Sequence, residues 1–183
     1  VTMWGYFGQG EAPDAFWGPR DVAVNAQGEV FVTDTGNKRV VVFDGNGKFI
    51  TEFGSVGVEL GFLDEPVGVA LGKDGQVYVV DTWNRRVQIF SPNSDRTQYF
   101  PVKAWDIFGW FGESLENKPY IAVDPQGNVY VTDPEGYRVL EFDAEGNFLR
   151  GWSEWAIEND LSSLPVGIDV GPDGRVWVSD SGN

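Results

Sequence analysis

Three Asp/Arg pairs, Asp34/Arg39, Asp81/Arg86 and Asp133/Arg138, recur five residues apart in a chain of 183 residues without histidine or cysteine. A guanidinium is a planar fork of donors suited to anions and carboxylates, so a ring of such arginines can be read as an anion-recognition device. It can equally pair with the aspartate of its own turn. Recurrence with the motif in every complete unit, whatever the neighbours, favours the second reading for the set. The missing residue types remove a zinc site of the usual kind, a cysteine nucleophile, a disulfide and a Ser-His-Asp relay. The 28 acids against 13 bases give a formal charge of -15, which repels phosphate backbones and anionic headgroups and disfavours nucleic-acid binding. No apolar run approaches the ~20 residues of a membrane span, so no direct membrane insertion is expected.

The elements that position these pairs are written nearly four times. PRDVAVNAQGEVFVTDTGNKRVVVF from Pro19, PVGVALGKDGQVYVVDTWNRRVQIF from Pro66, KPYIAVDPQGNVYVTDPEGYRVLEF from Lys118 and PVGIDVGPDGRVWVSDSGN from Pro165 align on Ala23, Ala70, Ala122 and Asp169, at steps of 47, 52 and 47. A fixed period of this length marks a repeat architecture. Each unit reads as four strands; in the first they lie near Asp21–Asn25, Glu29–Asp34, Arg39–Asp44 and Lys48–Phe53. Gly28, Gly75, Gly127 and Gly174 close the first hairpin of each unit, where a positive φ is required. In the second strand Val30/Val32, Val77/Val79, Val129/Val131 and Val176/Val178 hold one face, and Phe31, Tyr78, Tyr130 and Trp177 the other. A sheet apolar on both faces is buried on both, as a propeller blade between two blades must be.

The segment between the second and third strands carries a family likeness. Asp34-Thr35-Gly36-Asn37-Lys38-Arg39-Val40 and Asp81-Thr82-Trp83-Asn84-Arg85-Arg86-Val87 resemble the NHL repeat, with Phe43-Asp44, Phe142-Asp143 and Phe53-Gly54 as its later elements. In the third unit Gly136 replaces the Asn and Tyr137 the residue before Arg138, which weakens that turn. The resemblance implies an all-β fold, a β-propeller of four-stranded NHL blades: about three complete blades plus partial first and last blades, as a segment of a six-bladed propeller. The expected layout is a single domain over 1–183: an orphan outer strand in 1–8, blades in 16–53, 63–111 and 115–152, and a partial blade in 162–183. Fifteen strands are countable, and the open ends are expected to expose apolar faces covered by missing chain, a neighbour or another copy.

The long, dissimilar connectors between blades, residues 8–18, 54–65, 106–118 and 153–164, carry eleven acids against one base, Lys118. They emerge on the same face as the Asp/Arg turns, which predicts an acidic rim. Residues that break the repeat are the candidate ligand contacts: Trp83 where the first and fourth units have Gly36 and Gly182, Tyr137, Trp110 and Trp155 in connectors, and Arg86 as the anion-binding member. Aromatic faces beside carboxylates suit a sugar ring, a cation or a Pro-rich peptide. The stretch Tyr99–Phe111 reads as an aromatic connector in which Trp105, Phe108 and Phe111 plug the blade edge, and Phe16, Leu63 and Leu115 read as core. No metal site is assigned. Calcium is the one cofactor left open, because some six-bladed hydrolases centre on a metal held by Glu, Asn and Asp.

The resemblance therefore implies a non-enzymatic scaffold binding a protein or carbohydrate through an acidic, aromatic face, in an extracytoplasmic setting. The wording around Glu116–Tyr120 and Val131–Val139 resembles bacterial NHL segments attached to membrane glycosyltransferase-like proteins. The alternative is a calcium-dependent lactonase-like or lyase-like hydrolase with ligands outside this segment.

Overall fold

A computed structural model describes residues 3–10, 12–108, 117–152 and 164–181. Strands β1 (Tyr6–Phe7) and β2 (Ala15–Phe16) precede three four-stranded antiparallel sheets. These are blade one, β3 (Val22–Val24), β4 (Val30–Asp34), β5 (Arg39–Phe43) and β6 (Phe49–Phe53); blade two, β7 (Pro66–Leu71), β8 (Val77–Asp81), β9 (Arg86–Pro92) and β10 (Tyr99–Asp106); and blade three, β11 (Ile121–Val123), β12 (Val129–Asp133), β13 (Arg138–Phe142) and β14 (Phe148–Trp152). A two-stranded sheet follows, β15 (Pro165–Val170) with β16 (Val176–Asp180). Among the described residues no helix is long and apolar enough to cross a membrane.

The alternation of each second strand sets the packing. Val77 and Val79 join Phe31, Val40, Val42 and Phe53 of blade one in one buried cluster. Tyr78 and Val80, on the opposite face of β8, join Val129, Val131, Leu140 and Phe142 of blade three in another. One strand thus feeds two cores, the packing that toroidal stacking requires. At the outer blades the corresponding faces are exposed: Val22 and Val24 on blade one, Trp177 on the last sheet. The innermost strands β3, β7, β11 and β15 line an axial cleft of about 550 Å³.

Hydroxyls reinforce two blade junctions. Thr33 and Thr35 donate to the carbonyls of Val67 and Pro66 at 2.7 and 2.6 Å, and Thr132 donates to Val166 at 2.8 Å. Between blades two and three Val80 stands where Thr33 and Thr132 stand, and the buried Thr82 Oγ1 has no protein partner. That junction relies on its apolar cluster, on the Lys118–Glu65 ion pair at 3.0 Å, and on Gly68. A Cβ at Gly68 would meet the backbone of Tyr120 at 2.9 Å.

Three details differ from the sequence-based expectation. Tyr99–Asp106 is not connector but the outermost strand β10, paired with β9 through a bulge at Pro101/Lys103. Of its aromatics, Trp105 does cover a blade edge, lying over Gly146 and 5.8 Å from Phe142. Among the described residues Phe108 plugs nothing: it lies just past the end of β10, its carbonyl is held by Arg138, and its side chain is 97% exposed. Finally, the described residues form sixteen strands rather than fifteen, because β1 and β2 pair in parallel across the first connector. The second connector closes in the same way by the parallel bridge Val56/Leu63. Trp4 lies over Gly47 and 6.3 Å from Phe43, as Trp105 does on blade three, so the N-terminal segment covers blade one as β10 covers blade three. Leu63 is fully buried; Phe16 is half-buried against Phe43, and Phe111 and Leu115 lie outside the described residues.

Candidate functional site

The recurrent turns lie at the end of each blade where the connectors arrive, and their polar side chains hold those connectors. Asp34, Asp81 and Asp133 close their strand pairs opposite Arg39, Arg86 and Arg138, with Nε to Oδ2 distances of 2.9, 2.7 and 2.7 Å. All three carboxylates are fully buried. The other carboxylate oxygen of Asp34 and of Asp81 accepts the backbone N–H of Trp17 or Asp64, just ahead of the blade. The arginines then reach the connector carbonyls. Arg39 donates to Ala12 and Ala15, Arg86 to Val58, Glu59 and Phe62, and Arg138 to Phe108.

Asn37 and Asn84 bridge the same aspartates to the connector, donating to Gly8 and Gly57 at 3.2 and 2.9 Å. In the third unit the backbone N–H of Gly136 takes over, donating to Asp133 Oδ1 at 3.0 Å. A Cβ there would collide with the Asp133 carboxylate, so the departure from Asn is sterically matched.

With the repeated residues committed inward, the turns present the side chains that differ. Lys38, Arg85 and Tyr137 share one position and one left-handed conformation, φ 59, 55 and 53 degrees. Trp83 and Tyr137 are both exposed, on separate blades. The ammonium of Lys38, from blade one, sits 5.0 Å from the Trp83 ring centre and 3.0 Å from Asp64. Arg86 has Nε, Nη1 and Nη2 all donating within the protein. Trp110 and Trp155 lie outside the described residues. The expected acidic rim is partly neutralised from within, since Asp64 pairs with Lys38 and Glu65 with the buried Lys118.

Two residues on this face escaped the sequence reading. Trp17 occupies the place in unit one that Asp64 holds in unit two, and its ring lies where a Cβ on Gly36 would be, 2.6 Å away. The two units thus exchange roles: a connector tryptophan over a turn glycine in one, a turn tryptophan beside a connector aspartate in the other. The second is Gln88, fully buried in β9 where the other units have Val41 and Leu140. Both were detectable as repeat-breakers.

The axial cleft holds Asp21, Tyr120 and Asp169 where the repeat otherwise has glycine or alanine. Asp21 accepts the N–H of Val69 on the next blade at 2.9 Å; burial, the largest influence, raises its carboxyl above the ordinary 3.8. Tyr130, on blade three, is pushed up to about 12, chiefly by burial and then by its 3.1 Å bond to Glu141, so it stays a phenol. Among the described residues no three carboxylates gather as metal ligands.

The NHL repeat model matches residues 16–43 and 63–90, which are the first and second units from the end of the connector through the third strand. Over those two stretches the chain carries NHL repeats. The Drosophila melanogaster protein brain tumor is 28% identical over 140 residues, which is 74% of this chain and 12% of that protein. Among solved structures, a streptogramin B lyase superposes with a TM-score of 0.63 at 18% identity over 88% of this chain and 48% of its own. The calcium-binding protein regucalcin from Agrobacterium tumefaciens does so with a TM-score of 0.58 at 15% identity over 88% and 52%. At such identities the structural likeness establishes the propeller fold alone. This NHL segment spans about half the length of those solved propellers and an eighth of the curated relative.

Proposed function

We propose that this chain is a non-enzymatic NHL propeller scaffold that binds a partner protein through its turn-and-connector face. One observation carries the reading: the polar side chains of the recurrent motif are spent on bracing connectors, so the face displays Trp17, Trp83 and Tyr137 on a rigid frame. Large aromatic side chains with few rotatable bonds are favoured binding anchors. The NHL repeat matches support a scaffold reading, and the net charge of -15 argues against a nucleic-acid partner.

The rival is a calcium-dependent hydrolase acting through the axial cleft. The two separate in one set of measurements on the whole chain, comprising calcium-dependent melting, with chelator as control, and binding to peptide and glycan arrays. The scaffold reading expects unchanged melting and peptide capture weakened by Trp83→Ala and Tyr137→Ala. A calcium-induced rise in Tm reversed by chelator, with no peptide captured, would sink it; capture of glycans alone would replace the protein partner with a carbohydrate.

A further inference from the structure

We propose that the connector 54–65 is a preformed docking strip for a cationic, amphipathic segment of a partner protein. This rests on the face-binding reading above and specifies where and what that face binds.

Four apolar side chains of this connector face solvent: Val56, Val58, Leu60 and Phe62, the last three 68%, 48% and 42% exposed. A connector carrying such residues ordinarily folds them inward. Here the backbone is held so that they stay out. Asn84 donates to the Gly57 carbonyl at 2.9 Å, Arg86 donates to Val58, Glu59 and Phe62 at 2.7, 2.9 and 2.9 Å, and Gln88 donates to Phe62 at 2.7 Å while accepting from the Gly61 N–H at 2.9 Å. Beneath them Leu63 is the buried anchor, and Gly61 lies against Pro101 of β10.

Gln88 is the informative member. A buried amide in a strand is costly unless its hydrogen bonds are met, and the equivalent positions in the other units are Val41 and Leu140. Its bonds go to this connector and to Asp81. The first connector is held by Asn37 and Arg39 but has no counterpart of Gln88 and no apolar string; it reads Gly8-Gln9-Gly10-Glu11-Ala12-Pro13-Asp14. Among the described residues strip and glutamine brace occur together in one unit. A surface loop already fixed in shape loses little conformational entropy on association, and contiguous exposed apolar groups mark interaction surfaces.

Charge selects the occupant. A second copy would bring -15 against -15, and an anionic membrane would also be repelled. Glu59 is exposed within the strip, and at its end the Trp83 ring and Asp64 already hold an ammonium, that of Lys38. An apolar segment interspersed with Lys or Arg matches both features.

The test uses the whole chain and three fluorescein-labelled synthetic twelve-residue peptides, alternating Leu/Lys, Leu/Glu or Ser/Lys, followed by fluorescence anisotropy. Only Leu/Lys is expected to bind saturably. Val58→Ser/Leu60→Ser weakens it by about tenfold or more, and Gln88→Leu, which leaves every exposed side chain in place, by about threefold or more. Phe108→Ser, equally apolar and exposed but outside the strip, leaves it unchanged. Thermal melts confirm folding, and the two surface substitutions decide the matter if Gln88→Leu does not fold. Equal binding of Leu/Glu or Ser/Lys, or indifference to Val58→Ser/Leu60→Ser, overturns the proposal. So does self-association in sedimentation velocity that these substitutions abolish. Peptide binding that responds to Trp83→Ala but not to the connector substitutions refutes the strip and leaves the face-binding reading standing; no binding by any of the three peptides refutes the strip, while the array and calcium measurements decide the face-binding reading separately.

Discussion

Replacing Asp81 with Ala tests whether the turn carboxylates hold the blades to their connectors. Asp81 is fully buried and accepts hydrogen bonds from Arg86 Nε at 2.7 Å, Gln88 Nε2 at 2.9 Å, Asn84 Nδ2 at 2.9 Å and the Asp64 N–H at 2.7 Å. Truncation leaves a guanidinium and three neutral donors without their acceptor in a site closed to water. Breaking a buried pair from one side costs roughly 3–5 kcal/mol. For a domain of this size each kcal/mol moves Tm by roughly 2–4 °C, so Asp81→Ala is expected to lower Tm by roughly 6–20 °C. The assay is urea and thermal unfolding followed by tryptophan fluorescence and circular dichroism. Asp81→Leu/Arg86→Met, which removes both charges, should be less damaging than Asp81→Leu alone. Asp173→Ala is the control: its partner Arg175 is exposed, and such pairs contribute roughly 1 kcal/mol or less. A loss at Asp81→Ala of only about 1 kcal/mol, or no coupling in the cycle, would refute the view that this carboxylate organises the turn.

Further outcomes follow from other contacts. Gly36→Ala places a Cβ 2.5 Å from the Trp17 carbonyl and 2.6 Å from its ring, so Tm should fall and tryptophan emission shift to the red; an unchanged spectrum would contradict the packing. Thr82→Val removes a buried hydroxyl without a protein partner and should hold or raise stability, by up to about 1 kcal/mol, whereas Thr132→Val loses the bond to Val166 and should destabilise by about 1 kcal/mol or more. Asp44 is held below 3.8 by the Lys48 N–H first and the Asn46 N–H second, so its folded-state pKa is depressed. Its contribution is complete above 3.8 and is lost as pH falls through the folded value, and Asp44→Asn should flatten that part of the acid-unfolding curve. Asp21 has the opposite sign: burial raises it, so its ionised form opposes folding above its folded pKa, and stability recovers as pH falls toward 3.8. Asp21→Asn should remove that slope in unfolding free energy measured against pH.

The blades were legible because their determinants are local and periodic. Alternating Val and aromatic residues in β4, β8 and β12 specify two buried faces, and Gly28, Gly75, Gly127 and Gly174 take positive φ as their hairpins require. The Asp/Arg pairs were read as turn pairs because they recur with the motif in every complete unit, and the ladders place each pair opposite across two adjacent antiparallel strands. Less legible was Tyr99–Asp106, whose aromatic density resembled a connector but whose pairing partner, β9, lies across the hairpin. Phe108 could not be placed from its type, since an aromatic just past a strand end is buried or exposed according to how its backbone is held.

The sequence by itself determined the repeat, the strand order and the face each strand turns to its neighbours, since strand geometry and tight turns depend on residues a few positions apart. Only the tertiary structure decided which connector stands rigid and what it displays. The shape of 54–65 depends on donors 24 to 28 residues away, on Arg86 and Gln88, and those bonds exist only once the blade has folded against its own connector.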